Sequence, residues 1–236
     1  MTKQPDSRRA AISTLSQRHL TGISALSRED ICTILDHAAY FADQLKQDPH
    51  YRSTRLKDRA IVTAFFENST RTRLSFEMAA RRLGADVINF DTDTSSMKKG
   101  ESLIDTMLTL DAMIRPDAFI IRHSEYGAPE YIAPRVSCPV INAGDSWREH
   151  PTQALLDAFT IRQQKGRIEG LNIAICGDIA HSRVARSNMM LLTRMGANVR
   201  AIAPPVLLPQ KMPVEGVLAF DNLEEGLADC DIVMVL

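Results

Sequence analysis

The sequence lacks the features that mark secreted, membrane-spanning or zinc-binding proteins. Its four cysteines, at positions 32, 138, 176 and 230, are far apart and include no Cys-x-x-Cys pair. That distribution argues against a zinc site and a disulfide framework and fits a reducing compartment. No apolar run is long enough to span a bilayer, and residues 1–19 lack the apolar core of a secretory signal. We therefore expect a cytoplasmic protein that does not bind membranes.

An excess of charge of either sign is also missing. The chain has 236 residues, and its 28 basic residues are balanced by 29 acidic ones, for a net charge of −1. Bulk electrostatics therefore give no indication of nucleic acid or membrane binding. The length fits one large domain or two modest ones.

Apolar segments of strand length alternate with helical patterns along the whole chain. The predicted strands are 60–67, 86–90, 118–122, 139–144, 171–177, 198–204, 216–220 and 231–236. The predicted helices are 28–47, 70–84, 101–114, 150–166, 182–196 and 222–229. Such alternation is typical of α/β folds with parallel sheets. We expect two doubly wound domains with mainly parallel sheets.

The boundary between the two domains is expected at the long helix 150–166. This places a first domain at 1–149 and a second, partial domain at 167–236. The sequence stops at Leu236, inside an apolar strand. Parallel α/β domains rarely end on a buried strand, so we expect the second domain to be incomplete and the sequence to be truncated at its C-terminus.

A strand-to-helix turn carries a dense run of hydroxyl and guanidinium groups, Ser69-Thr70-Arg71-Thr72-Arg73. The first backbone N–H groups of a helix have no intrahelical partner and carry the positive end of the helix dipole. Hydroxyl donors and an arginine fork at that position suit phosphate oxygens. The spacing is not that of a Walker A loop. An equally weighted alternative is that Ser69 only caps a helix with a basic exposed face.

A second polar cluster stands at the start of the interdomain helix, in "GDSWREHPTQ" (144–153). A helix N-terminus favours the neutral form of an imidazole, so His150 is suited to donate one N–H to a carbonyl oxygen. Gln153, one turn later, is suited to donate or accept an amide hydrogen bond. The alternative is that His150 is an ordinary cap and Gln153 completes a capping box.

Arg122 ends the strand 118–122, where open α/β sheets bind their ligands. The turn at 69–73 and His150 also follow strand ends, so the topology should bring the three clusters together. His123 is expected to be structural. Arg183, in the first turn of a later helix, is placed to meet a carboxylate across the domain crevice, although a basic helix face explains it equally well. By composition alone, Ser95, Ser96, Lys98 and Lys99 belong to a solvated loop.

Several motifs in this order resemble the carbamoyltransferase family. They are "FFENSTRTRLSFEMAARRLGA", "SSMKKGESLIDT", "IIRH", "NAGDSWREHPTQALLDAFTI" and "GDIAHSRVARSN", and they cover most of residues 60–190. Within the family the sequence is similar to the aspartate type, because it has His-Pro-Thr-Gln after Asn-Ala-Gly-Asp where ornithine enzymes typically have His-Pro-Cys-Gln. Family members continue into an Arg-x-Gln-x-Glu-Arg loop and a His-Pro-Gly-Pro loop, which this sequence does not contain.

The resemblance implies a role for each motif residue. Ser69, Thr70, Arg71 and Thr72 would hold the phosphate of carbamoyl phosphate in the first domain. Thr72, Arg122 and His150 would contact its carbonyl oxygen, and Gln153 its amide. Arg183 and Lys99 would bind L-aspartate in the second domain. Lys99, with Ser95 and Ser96, would come from the neighbouring subunit of a homotrimer with shared active sites. Arg73 has no such role: in a helix it points away from Arg71, so we expect it to make structural or inter-subunit contacts.

The implied activity is transfer of a carbamoyl group to the amino group of L-aspartate, in pyrimidine biosynthesis. Arg71, Thr72, Arg122 and His150 would be the catalytic residues, and no metal or organic cofactor is implied. A regulatory chain or a dihydroorotase are further partners that the resemblance allows. Two alternatives stay open: another carbamoyltransferase, such as the ornithine type, or a non-catalytic homologue that binds anions or serves as a scaffold.

Overall fold

A computed structural model describes residues 14–91 and 101–236 of the chain. The helices are α1 Arg28–Gln47, α2 Thr70–Arg82, α3 Leu103–Ile114, α4 Ala128–Ile132, α5 Pro151–Lys165, α6 Arg183–Arg194 and α7 Leu223–Leu227. The strands are β1 Ala60–Phe65, β2 Asp86–Asp91, β3 Ala118–His123, β4 Val140–Asp145, β5 Asn172–Cys176, β6 Asn198–Ile202, β7 Leu218–Phe220 and β8 Ile232–Val235.

The first sheet contains four strands in the order β2-β1-β3-β4, and all of its pairings are parallel. Strands β1 and β3 are buried along nearly their whole length because helices cover both faces of a parallel sheet. The chain leaves β1 toward β2 on one side and reaches β3 on the other. The sheet therefore has a topological switch point between the carboxyl ends of β1 and β3, where open α/β sheets bind ligands.

The second sheet has the order β7-β6-β5-β8 and is also wholly parallel in its strand pairings. Its switch point lies between β5 and β8. Helix α6 follows β5 and packs against α5, which brings the carboxyl ends of the two sheets to a common cleft. The predicted fold class, α/β with parallel sheets, is confirmed. The domain boundaries 1–149, 150–166 and 167–236 stay a prediction.

Helix α1 begins with a capping box, in which the side chains of Ser27 and Asp30 each accept the other residue's backbone N–H. Its buried face, which includes Ile31 and Leu35, joins the hydrophobic core formed by α5, α6 and the second sheet. The sequence did not predict this partner for α1. Amphipathic periodicity identifies the buried face of a helix, but it does not identify the surface that covers that face.

The predicted elements all occur, with ends that differ by a few residues. Four helices begin after the expected first residue. In three of them Ser102, Ser182 and Asn222 are N-caps with extended backbones, whose side chains accept from the first turn. Gly84, at a φ of +89°, follows the end of α2 as expected. None of the helices in the described ranges is long and apolar enough to cross a membrane.

Candidate functional site

A cleft of about 1340 Å³ opens at the carboxyl ends of the two sheets. The structure brings eight of the predicted site residues into its lining: Ser69, Thr70, Arg71, Thr72, Arg122, His150, Gln153 and Arg183. Their elements are α2, β3, α5 and α6, so residues more than a hundred positions apart in sequence share one cavity. The predicted residues Ser95, Ser96 and Lys99 lie outside the described residues.

The turn before α2 has the geometry expected of an anion cradle. Ser69 occupies the N-cap position with an extended backbone, yet its side chain makes no cap hydrogen bond. Ser69 is therefore at the cap position without capping α2 through its side chain. No acidic residue stands in the first turn of α2 to neutralise the positive end of the helix dipole. Arg71 lines the same cleft and has no salt-bridge partner among the described residues.

Arg122 is almost fully buried at the end of β3, only 8% exposed. Its Nη2 donates to Glu67 Oε1 at 2.6 Å, and its Nη1 donates to the Ala143 carbonyl at 3.3 Å. Its Nε has no hydrogen-bond partner within the described part of the chain. Burial and the neighbouring Arg183 charge lower the pKa of Arg122 from its usual value. The structure thus keeps a desolvated cation at the switch point of the first sheet.

Glu67 is a site residue that the sequence analysis missed. Its carboxylate accepts two hydrogen bonds from Arg183, at 2.6 and 2.9 Å, in addition to the one from Arg122. Burial raises the pKa of Glu67, but the hydrogen bonds from the two arginines outweigh burial and hold it below the usual value. The available signal was an acidic residue at the end of an apolar strand, directly before the hydroxyl-rich turn.

Gly144, near the end of β4, is needed to bring the two arginines together. Its φ is +117°, a conformation that residues with a side chain rarely adopt. A Cβ atom at this position would lie 3.2 Å from Nη1 of Arg122 and 3.4 Å from the Arg183 guanidinium. The absence of a side chain at Gly144 therefore allows both cations to face the cleft at close range.

His150 precedes α5 and is 6% exposed. Burial, followed by the positive charges of Arg122 and Arg183, lowers the pKa of His150 to about 4. The ring is therefore neutral at pH 7, as expected, but burial and the two arginines are the main causes rather than the helix N-terminus. Its Nδ1 lies 3.5 Å from Thr152 Oγ1, and its backbone N–H donates to Ser187 Oγ on α6 at 2.9 Å.

His150 and Gln153 do not form the capping box that was the alternative explanation. The imidazole makes no cap hydrogen bond, and the Gln153 amide donates instead to Asp157 Oδ1 at 2.9 Å. Both side chains line the cleft. A neutral ring N–H and a carboxamide at the same wall suit a ligand with a neutral carbonyl and an amide.

Two other predicted assignments concern residues outside this cluster. His123 accepts the Glu125 backbone N–H on its Nδ1 at 2.9 Å, and its ring lies 5.0 Å from the Phe66 ring, contacts that serve local structure. Arg73 lies 3.5 Å from Glu77, one turn along α2, and its side chain is 52% exposed. Arg73 therefore makes a structural contact, as expected.

The fold and the cleft define a class of protein. Two parallel α/β sheets present their switch points to one cleft, which contains a helix start rich in hydroxyls and arginine, a neutral imidazole and a pair of clustered arginines. That combination suits a group-transfer protein that holds a phosphate beside a carbonyl group.

Comparisons with known proteins narrow this class. The family described as aspartate/ornithine carbamoyltransferase, carbamoyl-P binding domain, matches residues 18–163. An aspartate carbamoyltransferase catalytic subunit from Jannaschia sp. (strain CCS1) is 53% identical over 223 residues, which are 94% of this chain and 70% of the relative. Its counterpart from Parvibaculum lavamentivorans is 56% identical over 219 residues, 93% of this chain and 66% of the relative.

Solved structures agree with the sequence relatives. The crystal structure of aspartate transcarbamoylase from Trypanosoma cruzi in complex with carbamoyl phosphate superimposes with a TM-score of 0.84 at 33% identity, covering 95% of this chain and 72% of that chain. The catalytic subunit of M. jannaschii aspartate transcarbamoylase gives 0.82 at 34% identity, covering 93% and 73%. The chain belongs to the aspartate/ornithine carbamoyltransferase family.

Proposed function

We propose that the protein transfers the carbamoyl group of carbamoyl phosphate to the amino group of L-aspartate, which gives N-carbamoyl-L-aspartate and phosphate. Its curated relatives are named for this reaction. The observation that carries the proposal is the placement of the unpaired cradle at 69–72 and the neutral His150 in one cleft. An acyl phosphate needs an anion site and a carbonyl site in the same cleft.

In the proposed mechanism the phosphate lies at the start of α2. The free backbone N–H groups, the hydroxyls of Ser69, Thr70 and Thr72, and the Arg71 guanidinium would hold its oxygens. This interaction persists as the phosphate becomes the leaving group. It therefore stabilises the charge that develops on the bridging oxygen when the C–O bond breaks.

The carbonyl oxygen would be bound by His150, Arg122 and Thr72. The aspartate amine attacks the carbonyl carbon, and the electron pair of the C=O bond moves to the oxygen. A neutral imidazole donates one N–H to this oxyanion, and the Arg122 cation stabilises its charge. When the tetrahedral intermediate collapses, the phosphate departs and takes the proton that the amine loses. The chain does not need a separate strong base for this step.

The amino-acid substrate would replace Glu67 as the partner of Arg183. Both terminal nitrogens of Arg183 are occupied by the Glu67 carboxylate, and one of them also by the Ser146 carbonyl. A carboxylate of L-aspartate offers Arg183 the same bidentate geometry. Lys99 is proposed as a second aspartate ligand, supplied with Ser95 and Ser96 by a neighbouring subunit.

We propose a homotrimer with shared active sites. Helix α2, which begins at the cradle, exposes Leu74 and Met78, each about half accessible, on the surface next to the cleft. Mixing two inactive variants tests the sharing: Arg71→Ala and Lys99→Ala chains should regain activity together, because some mixed sites contain both native residues. Absence of activity in the mixture would contradict shared sites.

A cytoplasmic location is proposed from the four cysteines, all of them free. Free thiols at scattered positions suit a reducing compartment. Pyrimidine biosynthesis is the proposed role, and association with a regulatory chain or a dihydroorotase is a further proposal.

A colorimetric assay for carbamoylated amino acids tests the function. The protein is incubated with carbamoyl phosphate and either L-aspartate or L-ornithine. We expect product with aspartate and none with ornithine. Product with ornithine alone would instead support the ornithine type. Binding of phosphate without product from either amino acid would support a non-catalytic anion-binding role.

A further inference from the structure

Asp157 stands one turn after Gln153 on α5 and lines the same cleft. Its two oxygens have different partners. Oδ1 accepts the Gln153 side-chain amide at 2.9 Å, and Oδ2 accepts Asn188 Nδ2 of α6 at 2.7 Å. Asn188 is fully buried and donates from the same Nδ2 to the Val184 carbonyl at 3.1 Å.

This arrangement determines which end of the Gln153 amide faces the cleft. A carboxylate only accepts hydrogen bonds, whereas a carboxamide has a donor end and an acceptor end. Because Asp157 can bond only with the donor end, the Gln153 NH₂ group points along α5. The carbonyl Oε1 of Gln153 is then the end that remains for a ligand.

We propose that Asp157 is a positioning residue that determines specificity for a carbamoyl group. By holding the Gln153 NH₂ group, it presents Oε1 as an acceptor to the NH₂ group of carbamoyl phosphate. The inference rests on the proposed function, because it takes Gln153 to contact the carbamoyl amide. An acetyl group has a methyl in place of the NH₂ group, so it leaves Oε1 without a hydrogen bond. Losing such a bond costs about tenfold in affinity.

Asp157 also contributes to the packing of α5 on α6, so the test must separate orientation from packing. A purely structural role would weaken every ligand of the cleft to the same degree. An orienting role changes the ratio between two ligands that differ only at the amide. It leaves the affinity for inorganic phosphate unchanged, because the cradle at 69–72 lies on α2 rather than α5.

The experiment uses two stable phosphonates, phosphonoacetamide and acetonylphosphonate, which differ by NH₂ against CH₃. Their dissociation constants and that of inorganic phosphate are measured by calorimetry for the full chain and for Asp157→Ala. Asp178→Ala serves as a charge-matched control, because that carboxylate is about half exposed and pairs with His181. Asp157→Asn is measured as well, in case the alanine variant does not fold.

We expect the unsubstituted chain and Asp178→Ala to prefer phosphonoacetamide by about tenfold. Asp157→Ala should reduce this preference to about twofold or less. Asp157→Asn should give an intermediate value, because its single oxygen is shared by two donors. Phosphate affinity should stay within about twofold throughout. An unchanged preference in both Asp157 variants would overturn this inference alone. Failure of the unsubstituted chain to bind any of the three probes would overturn the proposed function as well.

Discussion

The two walls of the cleft differ in how their charged groups are compensated. On the wall formed by α2, Arg71 has no ion-pair partner among the described residues, and Ser69 leaves the helix uncapped. On the other wall, which is lined by Arg122 and Arg183, the two arginines share the carboxylate of Glu67. The first wall is open to an anion at once, whereas an anion must displace Glu67 to reach Arg183.

This difference indicates an order of binding. A phosphate meets no internal competitor at α2, so it should bind to the protein without the amino acid. A carboxylate at Arg183 must replace a bidentate pair that is already formed, which reduces its net affinity. We expect carbamoyl phosphate to bind first and aspartate second. Four substitutions would break or sharpen the contrast between the two walls.

The largest expected effect is that of Arg71→Ala on the open wall. Losing a charge-assisted contact to phosphate should raise the dissociation constant of inorganic phosphate by roughly 10- to 100-fold. The turnover number should fall by about 100-fold or more. Thermal unfolding with and without phosphate measures the first effect, since a ligand of the native state raises the melting temperature. Undiminished protection by phosphate in this variant would show that the anion binds elsewhere.

The pH dependence of stability should reveal the buried His150, whose pKa is lowered by burial and by the nearby charges of Arg122 and Arg183. Its folded-state pKa is about 4, against 6.5 in the unfolded chain, so the unfolded state binds more protons between these values. Stability from this group is therefore present above pH 6.5 and falls as the pH is lowered toward 4. Between pH 7 and pH 4.5 the chain should lose about 2 kcal/mol more than His150→Asn. The free energy of unfolding is measured by urea denaturation at both pH values. An equal loss between pH 7 and pH 4.5 in the two proteins would contradict this account.

Glu67→Gln removes the counter-charge of the compensated wall. We expect the free energy of unfolding at pH 7 to fall by about 1–2 kcal/mol, less than for a fully buried pair because Glu67 is partly exposed. The depressed pKa of Glu67 implies that this difference is present above its usual value of 4.5 and is lost as the pH falls below that value. Urea unfolding at pH 7 and pH 3.5 measures both quantities. A variant as stable as the parent at pH 7 would indicate that Glu67 does not stabilise the two arginines.

The smallest effect is expected for Arg73→Ala, the matched control for Arg71→Ala on the same helix. Arg73 makes a surface pair with Glu77, a kind of contact worth about 0.3–0.5 kcal/mol. Phosphate affinity should change by less than about twofold. A loss comparable to that of Arg71→Ala would mean that general charge on α2, rather than the position of Arg71, attracts the anion.

Much of the fold was predictable because strands and helices in α/β proteins leave strong local patterns. Strand β1 is apolar except for Thr63, and α5 is bounded by Pro151 and Gly166. The order of the strands in each sheet and the packing of α1 against α5 were not predictable. Both depend on contacts between distant residues, about which local periodicity contains no information.

Part of the site was predictable for the same reason, because it also has a strong local pattern. Hydroxyls and arginines at a strand-to-helix turn have a local chemical meaning, so the sequence was enough to predict the cradle at 69–72. Glu67, Gly144 and Asp157 were not recognised, because an acid or a glycine has many structural roles and only the positions of Arg122, Arg183 and Gln153 in space give it this one. The pKa of His150 also depends on burial, which the sequence around it does not specify.

The central claim is that the phosphate of the substrate lies at the start of α2 while its carbonyl faces His150. The most direct measurement is a crystal structure of the protein with carbamoyl phosphate. The account predicts phosphate oxygens within hydrogen-bonding distance of the backbone and side chains at 69–72, and a carbonyl oxygen within reach of His150 and Arg122. A phosphate bound instead to Arg183, with Glu67 displaced and the α2 turn empty, would contradict it.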